Sequence, residues 1–384
     1  MPRSNRTERF ESTKEPTLAR ESLERRWRDQ LAEEPRLATL VTGQGNAREP
    51  FHRWLPYRQG FSPGLIRLFL SEAGRELGNE SLLDPFSGSG TTITECARQR
   101  RPAIGVEAIP ALAFLGAAKF EQTWPALPAF DESYTWEAIA DRLELPLHRA
   151  ALMIAHARRH TASGALNRAA PSIAKSLAAV AEMIREDLCQ PLALANESRH
   201  GDARELDGID NESVGGIITS PPYLSRYDYI RTNDPLETVY LHWYGASADS
   251  IRQFQVRATP LRRDGEEPAV PLHPAAAEAR DVLAANGHRQ QAQAVLDYFT
   301  DMRAVLGGAH RVLSTNGPAW FIIGGVRLKD VYLPADLIVA DMAREAGFAV
   351  EALRVARELN PIRRKFGSAG HLAPRESLIV LRKA

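Results

Sequence analysis

The segment from Ser81 to Pro110 constrains the fold more than any other. SLLDPF (81–86) is a short apolar run, SGSGTT (87–92) is a turn of small residues, TITECARQR continues with helical character, and PAIGVEAIP (102–110) is a second apolar run holding Glu107. Strand, glycine-rich turn, helix and strand in that order form the first half of a nucleotide-type α/β unit. IPALAFLGAAKFE (109–121) predicts the next helix. The rhythm resumes with GDARELDG (201–208) and the strand VGGIITS (214–220). A long amphipathic helix around Val295–Leu313, the strand WFIIGG (320–325), the helix LPADLIVADMAREAG (333–347) and two closing strands, FAVEALRVARE and ESLIVLRK, complete it.

Two stretches stand outside that rhythm. Residues 1–50 are polar and read as a partly ordered arm, and residues 122–200 are Ala-rich and read as an inserted helical subdomain. The expected organisation is therefore an arm (1–50), one α/β domain (51–121 and 201–384) and a helical insertion (122–200). Residues 246–285 read as a second, smaller insertion. A chain of 384 residues with 44% hydrophobic residues has material for a sizeable core, and its net charge of zero leaves any nucleic-acid surface to local patches. Two cysteines, Cys96 and Cys189, exclude a disulfide framework and a four-thiolate zinc site, and the histidines lack metal-ligand spacing, so no metal is expected. The opening residues lack a signal-peptide core and no segment has the length of a membrane span, so the expectation is a soluble, cytoplasmic protein.

The chemistry starts in Asp84-Pro85-Phe86-Ser87-Gly88-Ser89-Gly90-Thr91-Thr92. Without a Cβ, Gly88 and Gly90 let a ligand approach the backbone, and the amides at Thr91 and Thr92 open a helix, where an anionic group such as a carboxylate is favoured. A triphosphate loop needs a lysine before its Ser/Thr, and that lysine is absent. An acid ending the strand, Asp84, suits a cofactor that carries a positive sulfonium. Glu107, 23 residues after Asp84, is placed to accept hydrogen bonds from ribose hydroxyls. An ordinary tight turn and a helix-capping acid are the plainer alternatives for these two features.

Ser220-Pro221-Pro222-Tyr223 follows directly on an apolar strand. A strand interior does not accept Pro-Pro, so the chain leaves the sheet there, stiff and extended, and aims acceptors away from the strand end. Tyr223 offers a flat face. An aromatic amino nitrogen is a poor nucleophile because its lone pair is delocalised. Acceptors around its N–H bonds favour a pyramidal nitrogen that can take a methyl group from sulfur in line. A base inside a duplex has to be flipped out to reach such a pocket, where an aromatic ring holds it.

DPFSGSGTT resembles the cofactor motif of the S-adenosyl-L-methionine-dependent DNA amino-methyltransferases, and TSPPY resembles their catalytic motif, in the form typical of the N4-cytosine branch. GVEAIP resembles their ribose-binding strand end, GDARE the adenine-side motif (Asp202), and HRWLPYRQGFSPGLIRLFL the helix motif that closes over the methionine part of the cofactor (Tyr57, Arg58, Gln59 and Ser62). The resemblance covers roughly residues 51–121, 201–245 and 290–384. It implies a Rossmann-like α/β fold with a seven-stranded, mostly parallel sheet holding one antiparallel strand. Asp84, Phe86, Gly88, Gly90, Thr91, Thr92 and Glu107 would hold the cofactor, and Ser220 to Tyr223 would carry catalysis. The cofactor half precedes the catalytic half, whereas many members have the reverse order.

That resemblance implies methyl transfer to N4 of a flipped-out cytosine in double-stranded DNA, alone or beside a restriction or defence nuclease. N6 of adenine, an RNA amino group, and a SAM-binding DNA-recognition protein without catalysis are the alternatives. C5-cytosine chemistry needs a cysteine usually preceded by proline, and here the pairs are Glu95-Cys96 and Leu188-Cys189. Arg226, Tyr227, Asp228, Tyr229 and Arg231 either hold the flipped nucleotide or form a structural network. Asn360 and Arg363-Arg364-Lys365 make a basic loop, either solvated or a phosphate clamp. Arg158, Arg159 and Arg168 add positive charge to the insertion, on a solvated face or facing DNA.

Overall fold

The computed structural model describes residues 18–55, 57, 59–161, 165–225, 229–245, 252–258, 270–359 and 374–384. The first elements are α1 (Leu18–Trp27), β1 (Leu31–Glu33) and α2 (Pro63–Ala73). Next come β2 (Ser81–Asp84), α3 (Thr91–Arg98), β3 (Ala103–Glu107) and α4 (Pro110–Ala118). The helical stretch supplies α5 (Trp136–Ala140), α6 (Pro146–Arg158) and α7 (Ile173–Leu188). Then follow β4 (Glu197–His200), β5 (Val214–Thr219), α8 (Tyr229–Tyr244), α9 (Pro274–Ala285) and α10 (Arg289–Val312). The chain closes with β6 (Pro318–Gly324), a small hairpin of β7 (Val326–Leu328) and β8 (Val331–Leu333), α11 (Ala335–Glu345), β9 (Phe348–Glu358) and β10 (Arg375–Lys383).

One sheet organises the molecule, in the order β1-β9-β10-β6-β5-β2-β3-β4. β10 runs antiparallel to both its neighbours, and the other pairings in this sheet are parallel. This is the Rossmann-like arrangement with one reversed strand near an edge, as expected. The sheet has eight strands and not seven. The eighth is β1, which pairs in register with Leu353–Val355 of β9. It comes from the polar stretch before Phe51, where Leu23 and Trp27 are buried and the Trp27 indole donates to Asp341 on α11 at 3.0 Å. An edge strand is recruited through backbone hydrogen bonds, which a thin apolar pattern does not reveal.

Chain direction reverses its progress across the sheet between β2 and β5. From β2 the order runs outward through β3 and β4, and from β5 it runs the other way to β6. Open α/β sheets bind ligands at the carboxyl ends of strands flanking such a switch. One core lies on the α10, α11 and α9 side of the sheet, with Val295, Phe299, Leu306, Leu337 and Phe321 buried in it. A second packs α2 and α3 on the opposite face around Phe69, Ile93 and Trp320. α4 to α8 enclose a third around Leu115, Leu152, Leu177 and Val239, so the inserted helices are buttressed by α8, the helix that follows the Pro-Pro turn. α9, read as part of an insertion, buries Ala275, Ala276, Ala279 and Leu283 in the main core. Among the described residues no helix is long and apolar enough to cross a membrane.

Candidate active site

β2 and β5 are hydrogen-bonded neighbours, so their following turns emerge side by side at the switch point. Asp84 locks the two together. Its Oδ2 accepts from the Thr92 hydroxyl at 2.6 Å and its Oδ1 from the Thr219 hydroxyl at 2.7 Å and the Phe86 amide at 3.1 Å. Burial pushes its carboxyl up to about 6, against the lowering effect of those three donors. Both oxygens of Asp84 accept hydrogen bonds that tie the glycine loop, α3 and β5 into one unit. Thr92 is fully buried for the same reason, and Thr91, also buried, opens α3.

The loop depends on glycine at two points. Gly88 has φ +53° and Gly90 φ +83°, both left-handed. A Cβ on Gly88 would lie 2.8 Å from Cε1 of Tyr57, so the ring of Tyr57 closes directly on the loop backbone. Ser62 caps α2 by accepting from the Gly64 amide at 3.1 Å, and Pro63 fills the first helical position. Beneath the loop the buried Lys119 donates to the Ser89 carbonyl at 2.6 Å, and burial lowers its amine to about 7.

Glu107 ends β3 beside the loop. Its Oε2 accepts from the Gly88 amide at 2.8 Å and its Oε1 from the Ile109 amide at 2.9 Å. Each carboxylate oxygen keeps a further lone pair, so two hydroxyls can still bind. Burial raises the group to about 7; the two amides oppose that, and the nearby Asp84 and Glu237 add to it. Glu237 on α8 was missed by motif reading. It caps α4 through the Ala111 amide at 3.0 Å, while its second oxygen is buried without a hydrogen-bond partner among the described residues. Asp202 follows β4 and is held by its neighbour Arg204, whose amide and Nε reach Oδ1 at 2.8 and 2.9 Å.

On the other side of the switch point, Pro221 is buried and Ser220 and Pro222 are half-buried. The Tyr223 ring lies against Gly324, where a Cβ would stand 2.6 Å from Cδ2, and its hydroxyl donates to Glu376 on β10 at 2.8 Å. Arg357 pairs with the same carboxylate. Gly324 and Glu376 carry no local signal, since only sheet pairing brings β6 and β10 to the Pro-Pro turn. Cys96 is fully buried and burial pushes its thiol up, which fits a packing role.

Arg58, Arg226, Tyr227, Asp228, Asn360, Arg363, Arg364 and Lys365 lie outside the described residues. Tyr229 is the first residue of α8. Arg158 remains partly open to solvent, yet its guanidinium donates to the carbonyls of Trp54, at 3.2 Å, and Arg53. Arg159 donates to the Pro171 carbonyl at 3.0 Å.

No protein-family model matches the chain. It is similar to the type II methyltransferase M.BsoBI of Geobacillus stearothermophilus, with 22% identity across 90% of this chain and 88% of that protein. The type II methyltransferase M.AvaI of Nostoc sp. is also 22% identical, across 87% of this chain and 86% of its own. Among solved structures, geranyl diphosphate C-methyltransferase from Streptomyces coelicolor aligns with 96% of this chain and 99% of its own at 10% identity and a TM-score of 0.36. TrmN from Thermus thermophilus aligns with 88% of this chain at 15% identity and a TM-score of 0.32, and the chain spans about half (53%) of that protein. The remaining lone pairs of Glu107 beside the Gly88–Gly90 backbone suit a pair of vicinal hydroxyls such as those of a ribose. By motif, and by alignment over 87–90% of its length, the chain is similar to the type II methyltransferases M.BsoBI and M.AvaI.

Proposed function

We propose that the protein transfers a methyl group from S-adenosyl-L-methionine to an exocyclic amino group of a DNA base, N4 of a flipped-out cytosine. The observation that carries the reading is the Asp84–Thr219 bond, which joins the strand of the glycine loop to the strand of the Ser220–Tyr223 turn. A cofactor on the loop and an amino group at the turn then share one crevice. In this reading Gly88, Gly90, Thr91 and the Phe86 segment back the cofactor, Glu107 takes the ribose, Asp202 lies on the adenine side, and Tyr57 and Ser62 belong to the closing segment. Ser220 and the carbonyls of Pro221 and its neighbours accept from the amino group and favour its pyramidal form. Tyr223, held through its hydroxyl and ring, keeps the base in place. Asp84 and Thr92 act indirectly, by holding the loop.

The substrate is double-stranded DNA, the enzyme is a restriction-modification or solitary methyltransferase, and a nuclease partner belongs to the first of these settings. Tritiated S-adenosylmethionine with substrate DNA provides the test. Ser220→Ala should lower turnover while sparing cofactor affinity, because the interaction matters mainly in the transition state. Wild-type methyl transfer by the Ser220→Ala/Tyr223→Ala double variant would place the active site elsewhere. Sequencing of DNA from an expressing host separates N4-methylcytosine from N6-methyladenine, and transfer to RNA alone would overturn the DNA assignment.

A further inference from the structure

We propose that Asp187, in the last turn of α7, is a positioning residue through which the inserted helices set Tyr57 on the cofactor loop. The inference rests on the reading that the segment after Phe51 closes over the cofactor.

Residues 51–54 form a tight turn whose polar groups are largely held from outside it. Phe51 takes φ 64°, ψ −34°, a conformation that a side chain disfavours, and His52–Trp54 is a single 3-10 turn. Such a conformation persists only where its surroundings over-determine it. The insertion provides that on both polarities. From α7, Asp187 Oδ2 accepts from the Phe51 amide at 2.7 Å and from the Trp54 indole at 2.8 Å. Its Oδ1 accepts from Arg53 Nε at 3.0 Å and a terminal guanidinium nitrogen at 2.7 Å. From α6, Arg158 donates to the carbonyls of Arg53 and Trp54. The turn's donors are thus held by one inserted helix and its carbonyls by another.

The Asp187 side chain is 2% exposed. A buried carboxylate with four donors and one charge partner is worth far more to local geometry than a surface ion pair. The other side of the turn faces the loop's own helix, with His52 Nε2 3.8 Å from Glu95 on α3. The turn is therefore wedged between the insertion and the helix that the glycine loop begins. Three residues after Trp54, the Tyr57 ring reaches Gly88, and the Tyr57 amide bonds back to the Leu55 carbonyl at 2.7 Å, which keeps the link short. A shift of the turn is passed on to the ring.

The experiment is a double-mutant cycle on the full-length protein, read by calorimetric titration with S-adenosylhomocysteine. Asp187→Asn should weaken binding by about tenfold, and in a Tyr57→Ala background it should cost nothing further, because the coupling runs through that ring. Undiminished affinity of a cooperatively melting Asp187→Asn, or an equal loss in both backgrounds, overturns the proposal. If Asp187→Asn does not fold, Arg158→Met, at a partly exposed position, is put through the same cycle with the same two outcomes. Failure of the wild-type protein to bind S-adenosylhomocysteine would instead refute the cofactor reading, which keeps the two failures distinct. A purely structural Asp187 would lower the melting temperature without a Tyr57-dependent loss of affinity.

Discussion

Replacing Gly324 with alanine tests whether the seat of Tyr223 governs turnover. Gly324 ends β6 with no left-handed φ, so an alanine is acceptable to the backbone and the effect is steric. The new methyl carbon would stand 2.6 Å from Tyr223 Cδ2, 2.7 Å from Cε2 and 3.3 Å from Leu359 Cδ1. Ordinary carbon–carbon contact begins at about 3.5 Å, so the ring has to retreat by about 1 Å. That displacement strains or breaks the 2.8 Å bond from the Tyr223 hydroxyl to Glu376. Overpacking of this kind costs about 1–3 kcal/mol of stability. A misplacement of about 1 Å at a reacting centre lowers turnover by up to about 100-fold. The glycine loop is untouched, so S-adenosylhomocysteine affinity should stay at the wild-type value. Methyl transfer from tritiated cofactor, beside calorimetry and a melting curve, separates these effects. Wild-type turnover in Gly324→Ala, or a loss of cofactor affinity as large as the loss of turnover, refutes the reasoning. In a Tyr223→Ala background the same alanine should cost no further activity.

Gly88→Ala forces a side chain into a left-handed residue and against Tyr57, and should weaken S-adenosylhomocysteine binding by about tenfold or more; undiminished affinity in a normally melting variant would remove the loop from the cofactor site. Burial lifts Glu107 from its ordinary 4.5 to about 7, so the empty protein favours the protonated form and the group's contribution to stability is fully present below pH 4.5 and lost as pH rises through about 7. Ribose hydroxyls favour the carboxylate instead, so affinity for S-adenosylhomocysteine should fall about tenfold per pH unit below 7 with proton release on binding, measured by calorimetry in buffers of different ionisation enthalpy; a flat profile, or one unchanged in Glu107→Gln, contradicts the ribose assignment. Alanine at Arg158, Arg159 and Arg168 should weaken DNA binding and flatten its salt dependence if the inserted helices touch phosphates. An unchanged salt slope would leave those arginines with structural roles alone.

The strand–glycine turn–helix unit and the exit of the chain at Pro221–Pro222 were legible because each depends on residues adjacent in the chain, whereas the mostly parallel sheet was implied by the family resemblance. A left-handed turn needs glycine, a strand cannot continue through Pro-Pro, and an apolar run after an amphipathic helix returns to the sheet. Hydrogen bonds between distant side chains leave no such trace. Asp84 was legible as an acid in the loop, but its bond to Thr219, 135 residues away, which links the two turns, exists only once β2 and β5 pair. Tyr223 was legible as an aromatic at the turn, whereas its anchor on Glu376 is 153 residues distant. Asp187 reaches Phe51 across 136 residues, and β1 joins the sheet by backbone pairing that side-chain pattern does not encode. The conformations of the two turns were readable from residue order alone, because glycine and Pro-Pro act on the local backbone. Which carboxylates lock the loop and the turns together came from packing, because a buried carboxylate takes its role from the donors brought to it.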